Sequence, residues 1–207
     1  MPLDTDTAQK PPAQPNQKPI NFRITDDDLG AGGAKTKFKA NIEAIRLLQT
    51  LDAEQRQATA EEQEVLSRYV GWGGIPQAFD EKNADWAKEY AELKSLLPAD
   101  EYSEARASTL NAFYTSPTVI KAIYEALSNM GLSKGNVLEP SCGVGNFMGL
   151  VPESMENIKM YGVELDSVSG RIAQQLYQKN KIAVQGFETM QFPDSFFDCV
   201  VGNVPFG

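Results

Sequence analysis

Three short runs in the second half of the chain each join an apolar segment to residues that can hold a cofactor or an amine. The first is NVLEPSCGVGNFMGL, where a strand expected near 136 to 139 runs into Glu139, Pro140 and Ser141 and then a turn carrying Gly143 and Gly145. Glycines there let the backbone pass close to a ligand at the carboxyl end of a strand, where α/β sheets bind ligands. A dinucleotide site favours G-x-G-x-x-G, but the third position is Met148, so close packing on a pyrophosphate is not supported. An acid ahead of the loop suits a ligand with a positive amino group instead.

The second run is KMYGVELDSVSGRIA, an apolar strand expected at 160 to 164 and ending in Glu164 and Asp166. A carboxylate at that tip, about 20 residues after the glycine turn, can accept hydrogen bonds from both hydroxyls of a ribose. Taken singly, such acids are as often solvated or cap the next helix. The third run, FFDCVVGNVPFG, is a buried strand ending in Asn203, Val204, Pro205 and Phe206. An exocyclic amine on a base is a poor nucleophile. The Asn203 side-chain oxygen and the Val204 carbonyl can accept its two protons, Pro205 fixes the turn, and Phe206 can stack on an extruded base. The same four residues also suit an ordinary turn after a strand.

These runs need a scaffold that brings strand ends together. From residue 118 the texture alternates helix, short apolar strand, glycine turn and helix, with further strands near 182 to 185 and 198 to 202, the pattern of a parallel sheet flanked by helices. Upstream the pattern is helical. Ile42, Ile45, Leu47, Leu48 and Leu51 predict an amphipathic helix from about Lys37, and Thr59 with Glu62 forms a capping box for a second helix striped by Val65, Leu66, Tyr69 and Val70. GWGG ends that helix, and Trp72 between glycines reads as a packing anchor. Further helices are expected at 83 to 96 and 99 to 109. Three divisions follow: a flexible Pro- and Gln-rich leader over 1–20, a helical region over 21–110, and the α/β part over 111–207.

With 42% hydrophobic residues the chain can bury a core, and it lacks the apolar runs of a membrane span or signal peptide, so a cytoplasmic location is expected. Cys142 and Cys199 are the only cysteines and there is no histidine, so neither a disulfide framework nor a metal site is expected. The acidic run Asp26, Asp27 and Asp28 reads as a solvated helix approach. A net charge of −9 disfavours tight duplex binding by this chain alone.

Taken in order, FYTSP (Phe113 to Pro117), LEPSCGVGNF, YGVELD, QGFE and NVPF resemble motifs X, I, II, III and IV of adenine-N6 DNA methyltransferases in which the cofactor half precedes the catalytic half. With NIEAIRLL, RYVGWGGIPQAFD and the closing GNVPFG, nearly everything after residue 20 resembles the methylase region of large methyltransferase and helicase proteins of bacterial conjugative elements and phages. The resemblance implies a Rossmann-like sheet, S-adenosylmethionine as cofactor, and DNA as partner through parts of a larger polypeptide. Laid on matching positions, it implies that Thr115 approaches the methionine part of the cofactor, Glu139 and Ser141 its amino and carboxylate ends, and Glu164 the ribose, with Pro140, Gly143 and Gly145 also among the cofactor-binding residues. Leu165 and Phe187 would flank the adenine ring, and Asn203 to Phe206 would clamp the target amine.

The chain departs from the family pattern in three ways. Gly186 stands where motif III offers an acid, with Glu188 two residues on as a substitute. Val204 replaces the first proline of motif IV, although its carbonyl is what the chemistry needs. The family's sheet has further strands beyond the four expected here, so the chain reads as a front portion that turns over nothing by itself. A methyltransferase acting on an RNA base or a glutamine amide, and a non-catalytic interaction module, are the competing readings.

Overall fold

The computed structural model describes residues 18–110 and 114–203. Its first half is helical. Helix α1 (Ala34–Glu54) starts three residues ahead of the expected Lys37, whose N–H closes the first turn on Gly33. No side chain caps it there, so the sequence carried no start signal. It ends at Gln55, a left-handed residue at φ 51° that returns its N–H to the last-turn carbonyls. Ile42, Ile45, Leu48 and Leu51 are buried as their spacing requires, while Leu47 is half-buried.

Helix α2 (Ala60–Leu66) has the expected reciprocal cap: the Glu62 N–H donates to Thr59 Oγ1 at 3.3 Å and the Thr59 N–H to Glu62 Oε2 at 2.9 Å. It stops at Leu66, so Tyr69 and Val70, expected on its stripe, fall in the loop that follows. Trp72 in that loop is 1% exposed, its ring edge-on to those of Tyr69 and Phe79, which agrees with the packing role. Helices α3 (Ala87–Leu96) and α4 (Ala99–Ser108) meet at Pro98, where Leu97 leaves helical geometry ahead of the proline.

The second half opens with α5 (Pro117–Asn129) and continues as β1 (Lys134–Glu139), α6 (Asn146–Gly149), β2 (Asn157–Glu164), α7 (Ser167–Leu176), β3 (Lys181–Val184) and β4 (Cys199–Val200). All pairings are parallel, in the order β3-β2-β1-β4. Backbone bonds from Asp198 to Asn136 and from Val201 to Leu138 extend the β1–β4 register at both ends. The fold is an α/β Rossmann-like sheet preceded by a helical region, as the alternating pattern predicts.

The halves are joined by buried amides that the sequence reading did not single out. Gln63 Nε2 donates to the Gln175 and Leu176 carbonyls at the end of α7, and Gln175 Oε1 accepts the Ala58 N–H at 2.8 Å. Gln178 accepts from the Ile20 N–H and donates to the Ala58 carbonyl, so Ile20, at the end of the expected leader, is tied to the α/β half. Each buried amide here finds a partner across the seam, which offsets its desolvation. Arg171 on α7 pairs with Asp52 of α1 and Glu101 of α4. Asp26, Asp27 and Asp28 are exposed, Asp27 pairing with Lys121. Among the described residues no helix is long and apolar enough to cross a membrane.

Candidate active site

The chain lays down β1, β2 and β3 outward in one direction and then returns to place β4 on the other side of β1. Strand order therefore reverses at β1, and the space beyond the carboxyl ends of β1 and β4 is the usual ligand position in open α/β sheets. A cavity of about 500 Å³ lies there. Thr115, Glu139, Pro140, Ser141, Gly143, Glu164, Leu165, Phe187, Glu188 and Asn203 all line it. The end of β1 and the run after β4 thus meet at one edge: an atom placed at the Cβ position of Gly202 would sit 3.5 Å from Pro140 Cδ.

Glu139 is the most unusual of these residues. It is 3% exposed, and its Oε2 is buried with no hydrogen-bond partner. Burial, reinforced by the charge of Glu164, pushes its carboxyl well above the ordinary range. A buried acceptor without a donor is costly unless something else supplies one, and a ligand ammonium would do so. Glu164 is differently placed. Its Oε2 accepts the Gly143 N–H at 2.7 Å and its Oε1 the Asp166 N–H at 2.8 Å, which holds the glycine turn to the tip of β2. Burial raises its pKa while these two backbone donors oppose the rise. Each oxygen retains a second lone-pair direction for a hydroxyl donor. Asp166 instead caps α7, accepting the Ser169 N–H.

Leu165 and Phe187 are 72% and 48% exposed yet both border the cavity, apolar surface free to cover a flat ring. Glu188 folds its carboxylate back against Gly186, where a Cβ would have no room. Gly145 is the exception among the described candidates, since it does not line the cavity. Its φ of 83° starts α6, and a Cβ there would lie 2.6 Å from the Tyr177 ring, so this glycine serves close packing behind the loop. Val204, Pro205 and Phe206 lie outside the described residues, as does Phe113. Cys142 and Cys199 are free thiols, Cys142 buried beneath the loop. Among the described residues no group of three or more metal-ligating side chains is placed to hold an ion.

Several lining residues were not anticipated. Tyr114 fills the space between two glycines: a Cβ on Gly143 would come within 2.7 Å of its ring, and one on Gly71 within 3.1 Å of its hydroxyl. Its hydroxyl pairs with Ser169 Oγ at 2.9 Å. Tyr69, Gly71, Glu104, Ala107 and Ser108 bring the helical half into the wall. The loop bearing Gly71 is held by Asn41, a fully buried side chain of α1 that donates to the Gly71 carbonyl at 2.6 Å and accepts the Val70 N–H at 2.9 Å. A polar residue within the apolar stripe of α1 was the one available signal.

Residues 138–204 match the family model described as a methyltransferase domain. Over 93% of its length the chain is 28% identical to the "Defense against restriction protein B" of Escherichia phage P1, of which it spans 7%. It is 32% identical over 56% of its length to a type II methyltransferase of Paramecium bursaria Chlorella virus XZ-6E, covering 29% of that protein. A modification methylase of Paramecium bursaria Chlorella virus NC1A is 26% identical over 50% of the chain, with 28% of the viral protein covered. The chain therefore spans under a third of each of these relatives. The matched methyltransferase segment begins at the end of β1 and takes in Glu139, Glu164 and Asn203, whereas Tyr69, Gly71 and Glu104 lie before it.

Proposed function

We propose that this chain carries the cofactor-binding and amine-clamping parts of an S-adenosylmethionine-dependent DNA methyltransferase acting on adenine N6. The observation that carries the reading is that the buried, unpartnered Glu139 carboxylate and Asn203 face one crevice, at the reversal of strand order. Bound there, S-adenosylmethionine would supply an electrophilic methyl group on a positively charged sulfur. Glu139 would accept hydrogen bonds from the ligand ammonium, Glu164 from its ribose hydroxyls, and Leu165 and Phe187 would cover its adenine.

Beside the cofactor, Asn203 Oδ1 would accept one proton of the target amine and the Val204 carbonyl the other. The nitrogen lone pair is thereby directed at the methyl group. By the motif resemblance, Phe206 would stack on the extruded base and Pro205 would restrict the turn. The acceptors work by orientation and charge stabilisation, and need no side chain with a shifted pKa on the amine side.

The viral relatives named as a type II methyltransferase and as a modification methylase favour a DNA substrate. The net charge of −9 argues that duplex binding relies on basic surface elsewhere in a larger polypeptide. Transfer of a labelled methyl group to adenine-containing DNA, RNA and protein, measured for the full-length protein, tests the substrate. Label in N6-methyladenine of DNA is the expected result, and label confined to RNA or to glutamine overturns the DNA reading. For the 207-residue chain alone, we expect cofactor binding without measurable DNA turnover.

A further inference from the structure

We propose that Glu104, on the helical half, is a specificity-determining residue of the cavity: a second carboxylate that, with Glu164, reads the hydroxyl-bearing sugar edge of the ligand. The inference rests on the cofactor reading above and deepens it. Helix α4 is docked on the start of α7 by the Arg171–Glu101 ion pair and by a 3.5 Å contact from Ser167 Oγ to Glu101. Glu104 lies three residues further along the same helix, a spacing that keeps it on the same face. That placement sets its carboxylate beside the Ser167 N–H and the charge of Asp166, at the tip of β2 where Glu164 and Leu165 also border the cavity.

What such a wall would recognise follows from its chemistry. The described lining contains the carboxylates of Glu104, Glu139, Glu164, Asp166 and Glu188 and no lysine or arginine. It repels phosphate and favours a ligand rich in donors or positive charge. Independent of this charge, the buried Glu139 Oε2 lacks any partner, a sign that a ligand donor completes the cavity. At the other end Glu164 has one acceptor direction left on each oxygen, because backbone N–H groups occupy the others. A vicinal diol brings two donors. With Glu104 also lining the cavity, the sugar edge is met by acidic groups from both halves, and the helical half becomes part of ligand recognition rather than a support. Partial desolvation and the charge of Asp166 raise the Glu104 carboxyl above its ordinary range, although the residue as a whole stays exposed.

The test is calorimetric titration of the whole chain and of E104Q with S-adenosylmethionine and with its 2′,3′-dideoxy analogue. E104Q is expected to bind S-adenosylmethionine about tenfold more weakly, the scale of one hydrogen bond to a charged group. The dideoxy analogue should bind both proteins alike, and the unliganded melting temperature should be unchanged. An equal loss for both ligands, or none for either, overturns the role of Glu104 while leaving the cofactor reading intact. Failure of the unsubstituted chain to bind S-adenosylmethionine overturns both.

Discussion

The two halves of the molecule build their shares of the cavity by opposite means. The α/β half uses backbone turns at strand ends, where Glu139, Gly143, Glu164 and Asn203 are carried by the strands that precede or follow them. The helical half uses side chains and one loop that distant contacts hold at the crevice: Asn41 of α1 ties down the Gly71 loop, Arg171 of α7 ties down α4, and Gln63, Gln175 and Gln178 join the seam. Chemistry set by local geometry leaves a local trace in the chain, and chemistry delivered by docking does not.

The comparison is tested most severely by Trp72→Ala. Loss of this buried ring is expected to cost about 3–5 kcal/mol, lowering the melting temperature by roughly 10 °C. If the amide seam makes the halves one cooperative unit, circular dichroism and ligand binding should be lost in a single transition. A variant whose helical half melts first while the α/β half still binds ligand would separate them.

A smaller effect is expected at Glu139. Glu139→Gln should weaken S-adenosylmethionine binding by roughly 30-fold in calorimetry, as a charged buried acceptor is lost. The same substitution has a sign-defined effect on stability. Because the folded carboxyl titrates above its unfolded value, its contribution is complete below the ordinary glutamate value of about 4.3 and is lost as pH rises through the raised value. Thermal scans of the unliganded protein should therefore show stability falling from mildly acidic to neutral pH, and Glu139→Gln should flatten part of that slope. An unchanged slope would mean that the carboxyl is solvated or paired.

The two glycines around Tyr114 press on one ring from opposite halves. Gly143→Ala combines φ 54° with the closer approach to the ring, and Gly71→Ala combines φ 68° with the looser one. Both should weaken ligand binding, Gly143→Ala by about tenfold if the strain is near 1–2 kcal/mol, and Gly71→Ala by less. An inert Gly71→Ala would remove the helical half from the binding wall. Arg171→Ala should have the smallest effect, about 1 kcal/mol or less in thermal unfolding, since a partly exposed ion pair is screened by solvent.

Much of this architecture was legible in the chain. The Thr59–Glu62 cap, the apolar stripe of α1 and the four strands follow from patterns with short physical range, and all are present within a few residues. Boundaries shifted where no side chain marks them, as at Gly33. The glycine turn was only partly legible, because spacing alone does not tell a glycine facing the crevice, Gly143, from one facing Tyr177, Gly145. Asn41 and the glutamine seam were missed because a buried amide carries no period of its own, and its meaning depends on which backbone group it meets.

By itself the sequence determined that β1 and β2 end in Glu139 and Glu164, that Thr59 and Glu62 cap α2, and that an acid, a glycine turn and an asparagine follow in a fixed order. These depend on neighbours a few positions away. Only the tertiary structure decided that β4 lies beside β1, that Glu139 is left without a partner, and that Tyr114 and Glu104 share a wall with Glu164. Those relations arise between groups far apart in the chain, and packing brings them together without any local pattern to announce it.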